Sequence, residues 1–166
     1  MNILKYLSCG YNSIARKNPN TCMEPIEDIN IESANLTKFV PVIKKGRVVK
    51  VYDGDTITIG ARMEIEGKET YNLYQFSVRL HGIDTPELKT KNPTEKSLAI
   101  LARDDLSSMI LGKVVTLTNV SYDKYGRILA NVQNESGVDM SQWMIEKGHA
   151  VSYDGGTKKR PAEWTD

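Results

Sequence analysis

Three short stretches combine carboxylates with guanidinium groups: Asp53-Gly54-Asp55-Thr56, the run RLHGIDTPE from Arg79 to Glu87, and Asp123-Lys124-Tyr125-Gly126-Arg127. The middle stretch gathers an arginine, an aspartate and a glutamate around a Thr85-Pro86 step that fits no helix interior. Taken singly, each stretch is most simply a turn. Asp-Gly suits a hairpin, and Pro86 fixes its own φ while pushing Thr85 towards extended backbone. Taken together, they could form the charged rim of a phosphate-handling site. The planar fork of an arginine grips two phosphate oxygens through paired, charge-assisted hydrogen bonds, which a lysine cannot reproduce. Aspartates are hard oxygen donors of the kind a divalent cation takes, and a nearby glutamate can accept a proton from water.

Such a rim needs elements to hold it. Patterned sequence begins at FVPVIKKGRVVKVYDGDTITIG, rich in Val, Ile, Tyr and Thr and broken by the Asp-Gly step, as a hairpin would be. A second strand signal, YNLYQFSVRLHGI, puts Val78 and Leu80 on a core face and Arg79 and His81 on the other. A helix follows, with Asn92 as N-cap, Pro93 at its first position and Glu95 three after the cap. Its apolar stripe is Leu98, Leu101, Ala102, Met109 and Ile110, and Gly112 ends it. KVVTLTNVSY and YGRILANVQN read as two strands joined through DKYG. A second helix, capped by Asp139 with Gln142 three later, buries Met140, Trp143 and Met144 and stops at Gly148. Three strands, a helix, two strands and a helix make an α+β barrel. We expect a five-stranded antiparallel OB-fold barrel, with one helix between strands three and four and a second after strand five.

Composition leaves the partner open. The 166 residues carry a net charge of +1 and 40% hydrophobic residues, ordinary for a folded domain, so any nucleic-acid binding must come from local arrangement. Residues 1–38 lack steady periodicity and read as a disordered leader or tail, 39–153 as the barrel domain, and 154–166 as a turn-like, locally basic C-terminal tail. Cys9 and Cys22 both fall in the leader, without metal-ligand spacing. No apolar run reaches membrane-span length, and Asn at position 2 excludes myristoylation. Cys9 beside apolar residues is a weak acylation signal. The expected location is intracellular or membrane-tethered through the N-terminal segment rather than secreted.

In order along the chain, VVKVYDGDTITI, VRLHGIDTPE, YDKYGRILANV and WMIEKGHAV resemble the thermonuclease, or staphylococcal-nuclease-like, family over roughly residues 42–153. The resemblance implies that Asp55 and Asp84 ligate a metal ion, with the backbone carbonyl of Thr85 beside them and Asp53 in the surroundings. It implies that Arg79 and Arg127 hold the scissile phosphate, that Glu87 is the general base, and that Tyr125 and Tyr153 line the nucleotide pocket. The implied ion is Ca²⁺, and the implied reaction is hydrolysis of DNA and RNA without sugar preference, leaving 3′-phosphate ends. Single-stranded or frayed substrate suits a barrel groove with tyrosines. We expect a monomer without an obligate protein partner.

The alternative is a non-catalytic OB-fold module binding nucleic acid or protein. The joint presence of Arg79, Glu87 and Arg127 argues against it. A phosphatase of small phosphoesters would use similar groups without needing the tyrosines. Several features depart from the best-known secreted members of the family. LKTKNPT makes a short connection after Glu87, ETYNLYQF suggests a longer hairpin before the Arg79 strand, and a third, C-terminal helix is not foreseen. His81 reads as groove-side or structural, His149 as packing or exposed, Trp143 as core, and the 158–160 run KKR as a solvated segment able to attract phosphate.

Overall fold

The computed structural model describes residues 38–157 and 160–164, with three further positions at 26, 32 and 36. The chain divides into two units, Met1–Lys38 and Phe39–Asp166. The expected leader, with Cys9 and Cys22, lies outside the described residues apart from those isolated positions, as do Lys158 and Lys159. Among the described residues no helix is long and apolar enough to cross a membrane.

The second unit is built on a closed barrel. Strands β1 (Lys45–Val51) and β2 (Thr56–Ala61) form the expected hairpin. A two-stranded ribbon of β3 (Glu64–Ile65) and β4 (Lys68–Glu69) then precedes β5 (Tyr74–Leu80). This ribbon is the extra hairpin anticipated before Arg79, and it turns through Glu66 and Gly67 at positive φ. After β6 (Ile83–Asp84) come α1 (Pro93–Ile110), β7 (Val114–Tyr122), β8 (Ile128–Gln133), α2 (Met140–Glu146) and β9 (Val151–Ser152). A single 3-10 turn, Ala162–Trp164, follows. Period-two alternation sends Ile57, Ile59, Val78, Leu80, Ile128, Ala130 and Val132 inward, where each is at most 2% exposed.

The barrel order is β1-β2-β5-β8-β7, with α1 between its third and fourth strands and α2 after its fifth. One part of the expectation fails: the barrel is not wholly antiparallel. It closes through a parallel pair, β5 with β8, in the register Val78↔Ile128, Arg79↔Leu129 and Leu80↔Ala130. Parallel neighbours need a long crossover, and the segment containing α1 and β7 supplies it. Irregularities in β1 at Val48/Lys50 and in β7 at Thr118/Ser121, with Asn119 at φ 53°, give the strands the bend that closure requires.

Helix α1 starts as foreseen, with Asn92 accepting the Glu95 N–H at 3.0 Å and Pro93 in the first turn. Its buried face differs from the expected stripe. Ala99, Ala102, Leu106 and Ile110 are fully buried, whereas Leu101 is 49% exposed and Leu98 and Met109 are only partly covered. The reason is close approach: a Cβ built on Gly54, in the β1–β2 turn, would lie 3.1 Å from the Ala102 Cβ. A helix pressed so near a turn presents its small residues, and the larger aliphatics move aside. Helix α2 is capped as foreseen, with Asp139 accepting from Gln142 N–H at 3.0 Å, and Met140 and Met144 fully buried. Trp143 is only half-buried, tilted against His149 at 6.4 Å between ring centroids; His149 in turn bonds Asp105 at 2.7 Å. Within the segment expected as a tail, Trp164 is buried at 5% exposure and Arg160 pairs with Glu95 of the domain.

Candidate active site

The turn from β1 to β2 is held by Tyr52 N–H to Thr56 O at 2.9 Å and by Asp55 N–H to the Asp53 carboxylate at 3.3 Å. Gly54 lets the turn pack closely there, because a Cβ would lie 3.0 Å from Thr85 Cγ2 as well as 3.1 Å from the Ala102 Cβ. Gly54→Val is therefore expected to cost about 1–3 kcal/mol of stability, as overpacking does, and to shift Asp55. Thermal unfolding compared with wild type checks the first part. Antiparallel register sets Thr56 opposite Arg79, and Leu80 N–H donates to Asp55 O at 2.8 Å, so Asp55 lies beside the Arg79 side chain.

Arg79 sits between the two aspartates. Its Nη1 pairs with Asp55 Oδ2 at 2.5 Å, and its Nη2 with Asp84 Oδ1 at 3.2 Å and Ile83 O at 3.1 Å. Asp55, Asp84 and Thr85 are each 3% exposed. Asp84 is positioned by β6, which pairs with β9, and the residue after β9 is Tyr153, whose N–H donates to Gly82 O at 2.9 Å. The Tyr153 hydroxyl donates to Gly156 O at 2.9 Å.

Arg127 arrives from the β7–β8 turn. Asp123 organises it, accepting from Tyr125 N–H at 2.8 Å, Arg127 N–H at 2.9 Å and Arg127 Nε at 2.7 Å, while Gly126 turns at φ 82°. Arg127 Nη1 also donates to Thr56 Oγ1 at 3.3 Å, which ties the third stretch to the first. The parallel register of β5 and β8 brings both arginines to one end of the barrel. Tyr125 is 74% exposed, with Lys124 and Arg127 near its ring at 5.2 and 5.7 Å.

One cleft of about 410 Å³ is lined by Asp53, Asp55, Thr85, Arg79, Glu87, Arg127, Tyr125 and Tyr153, with His81 at its rim. Eight of the nine anticipated residues thus share its wall. Asp84 stands behind it, reached through Arg79. Two residues not anticipated as part of the site also shape it. One is Asp123, whose signal was an aspartate three residues before a turn glycine. The other is Glu95, assigned to helix capping but buried at 2% exposure, where its Oε1 accepts the Glu87 N–H at 3.2 Å. The Asn92 N–H goes instead to Thr90 Oγ1 at 3.2 Å.

Burial and then the charge of Asp53 push the Asp55 carboxyl up to about 7, against the pull of Arg79 and the Thr56 hydroxyl bond. Burial also acts to raise Asp123, but its bonds from Arg127 and Tyr125 win and hold it below its usual value. A carboxyl whose pKa is higher folded than unfolded contributes stability that is complete below about pH 4 and is lost as pH rises to about 7. In chelator, the stability of wild type relative to Asp55→Asn should therefore fall over that window. At 1.36 kcal/mol per pKa unit the fall is on the order of 4 kcal/mol. Urea unfolding at a series of pH values reads it, and a flat difference would mean that Arg79 keeps Asp55 ionised.

Among the described residues there is no group of three or more His, Cys, Asp or Glu side chains that could hold a metal ion. The donor chemistry nevertheless fits a hard divalent cation. Two buried carboxylates converge on one guanidinium, which leaves one negative charge of the three groups for a cation to meet when both are ionised. Asp55 and Asp84 would hold such an ion, with oxygen from Thr85 and water completing the set.

Fold and site define a class: a five-stranded closed barrel with two helices, carrying paired arginines and carboxylates in a cleft at one end. The chain belongs to the staphylococcal nuclease homologue family, whose sequence profile matches residues 77–164, more than half of its length. It is similar to a protein of Escherichia coli named "Uncharacterized endonuclease", with 34% identity over 109 residues, 66% of this chain and 61% of that protein. It is also similar to staphylococcal-like nuclease CAN1 of Arabidopsis thaliana, with 34% identity over 101 residues, 59% of this chain and 29% of that protein. The matched region thus spans less than two thirds of these relatives.

Proposed function

We propose that this chain is a Ca²⁺-dependent nuclease that hydrolyses phosphodiester bonds of DNA and RNA without sugar preference and leaves 3′-phosphate ends. The observation that carries this reading is the shared cleft of Asp55, Arg79, Glu87 and Arg127, with Asp84 paired to Arg79 behind its wall. The names of the relatives support the same class of reaction.

A phosphodiester repels hydroxide until its own charge is met. Arg127 is oriented by Asp123 and offers its remaining N–H groups to a phosphate oxygen. Arg79 faces the same cleft and reaches a phosphate once the charge on Asp55 and Asp84 is balanced from elsewhere, which is the electrostatic case for a divalent cation at that pair. When bound, such an ion supplies phosphate neutralisation and a more acidic water. Glu87 accepts the proton of the attacking water, whose oxygen bonds to phosphorus as the bond to the 5′ oxygen breaks. The two arginines meet the charge that develops on the phosphoryl oxygens. The exposed Tyr125 ring offers a stacking face to an unpaired base, and Tyr153 lines the same cleft, which favours single-stranded or frayed substrate.

Digestion of heat-denatured DNA and of RNA with Ca²⁺ and with excess EGTA tests the reading. Cleavage in Ca²⁺ that drops at least about 100-fold in EGTA, with phosphatase-sensitive 3′ ends, is expected. Cleavage undiminished in EGTA would overturn the metal dependence. An oligonucleotide bound but left whole would identify a binding module instead.

A further inference from the structure

The most deeply buried carboxylate that the proposed reaction does not use is Glu95, which is 2% exposed in the first turn of α1. Its Oε1 makes two contacts. It accepts the backbone N–H of Glu87 at 3.2 Å, and it pairs with Arg160 Nη1 at 3.3 Å. Arg160 precedes the 3-10 turn that ends in Trp164, a side chain 5% exposed in the domain. One carboxylate oxygen therefore joins the residue proposed as general base, the start of α1 and the C-terminal segment.

A buried carboxylate is costly unless it is paired and bonded, so its presence here calls for a reason. Helix capping does not provide one, because the Asn92 side chain already takes the Glu95 N–H and Thr90 takes the Asn92 N–H. Glu87 is the last residue of its motif, on a connection with no strand or helix to fix it before Pro93, and Pro86 on its other side offers no N–H. Thr90 N–H donates to Glu87 O at 3.3 Å, and the Glu87 amide is a second point at which the short connection is pinned, by Glu95. Arg160 pairs with the same carboxylate oxygen and holds it directed at that amide.

We propose that Glu95, held by Arg160, is a positioning residue that sets Glu87 in the cleft, so that docking of the C-terminal segment is coupled to catalysis. This rests on the nuclease reading for its effect on rate, but not for the contact itself. A base displaced by about an ångström loses on the order of 100-fold in rate. Glu95→Ala in the full chain should lower kcat by about 10- to 100-fold, the usual loss for an outer partner of a reactive group, with KM and Ca²⁺ affinity by calorimetry nearly unchanged. Glu95→Gln retains a carbonyl acceptor for the amide and should recover most of kcat. Arg160→Gln alters a side chain that is 39% exposed, so the fold is retained, and should give an intermediate loss.

Amide hydrogen exchange, followed residue by residue, supplies a readout apart from turnover. The Glu87 amide should exchange faster in Glu95→Ala and regain protection in Glu95→Gln. Unchanged kcat and unchanged Glu87 protection in Glu95→Ala would overturn the proposal, and so would a loss confined to thermal stability or to KM. A wild type that cleaves nothing would overturn the nuclease reading, and the exchange of the Glu87 amide would still decide the clamp.

Discussion

Arg79→Ala is expected to lower kcat on denatured DNA by about 10³-fold, the upper range for removing one preorganised donor from a developing anion. Its second effect separates it from other active-site substitutions. The Arg79 side chain, 12% exposed, pairs with both Asp55 and Asp84, which are themselves 5% and 4% exposed at the side chain. Removing it takes the shared guanidinium from two buried carboxylates. Breaking a buried pair in this way costs about 3–5 kcal/mol, so the variant should unfold well below wild type in chelator. Added Ca²⁺ should then raise its melting temperature more than that of wild type, because no guanidinium competes for the carboxylates. Thermal unfolding with and without Ca²⁺, beside single-turnover cleavage, reads both effects. A variant that is neither destabilised nor more responsive to Ca²⁺ would place the aspartates' partner elsewhere.

The other large effect belongs to Glu87. Glu87→Gln keeps the shape of a half-buried side chain and its backbone N–H bond to Glu95, but removes the basic oxygen. A loss of about 10²–10⁴-fold in kcat is expected, the range for general base catalysis, with little change in stability or in Ca²⁺ binding. The contrast with Arg79→Ala is diagnostic. One substitution separates rate from stability, and the other lowers both. Steady-state kinetics with a fluorescent oligonucleotide, beside a urea unfolding curve, distinguishes them. Retained activity in Glu87→Gln would transfer the proton to a different acceptor in the cleft.

Much of this site could be read from the sequence because its parts are local. Asp53 to Thr56 and Asp123 to Arg127 are turns whose residue types dictate them, and alternation along the Arg79 strand fixes which face meets the core. The resemblance then assembled these pieces, and the cleft brings together all the anticipated residues except Asp84, which stands one layer behind. What escaped depends on contacts between distant parts of the chain. Glu95 matched a capping pattern, and only its burial against Glu87 and Arg160 reveals another task. The face of α1 was misjudged because hydrophobicity favours Leu101, whereas the nearness of Gly54 favours Ala102. Trp164 lies in a stretch without periodicity, so nothing local marked it as buried. The parallel strand pair could not be seen in any window of sequence, since it joins segments on either side of α1 and β7.

That pair also governs how the molecule comes into being. β5 ends at Leu80, while its partner β8 runs from Ile128 to Gln133. At synthesis rates of about 5–20 residues per second, the edge of β5 waits several seconds for its neighbour, an interval in which an unpaired strand is open to association with other chains. Non-local pairing of this kind also slows folding from the denatured state. Closing the barrel is the same event that brings the two arginines into one cleft, so a nascent or partly opened chain has no means of gripping a phosphate. The proposed grip on phosphate therefore arrives only with the finished barrel.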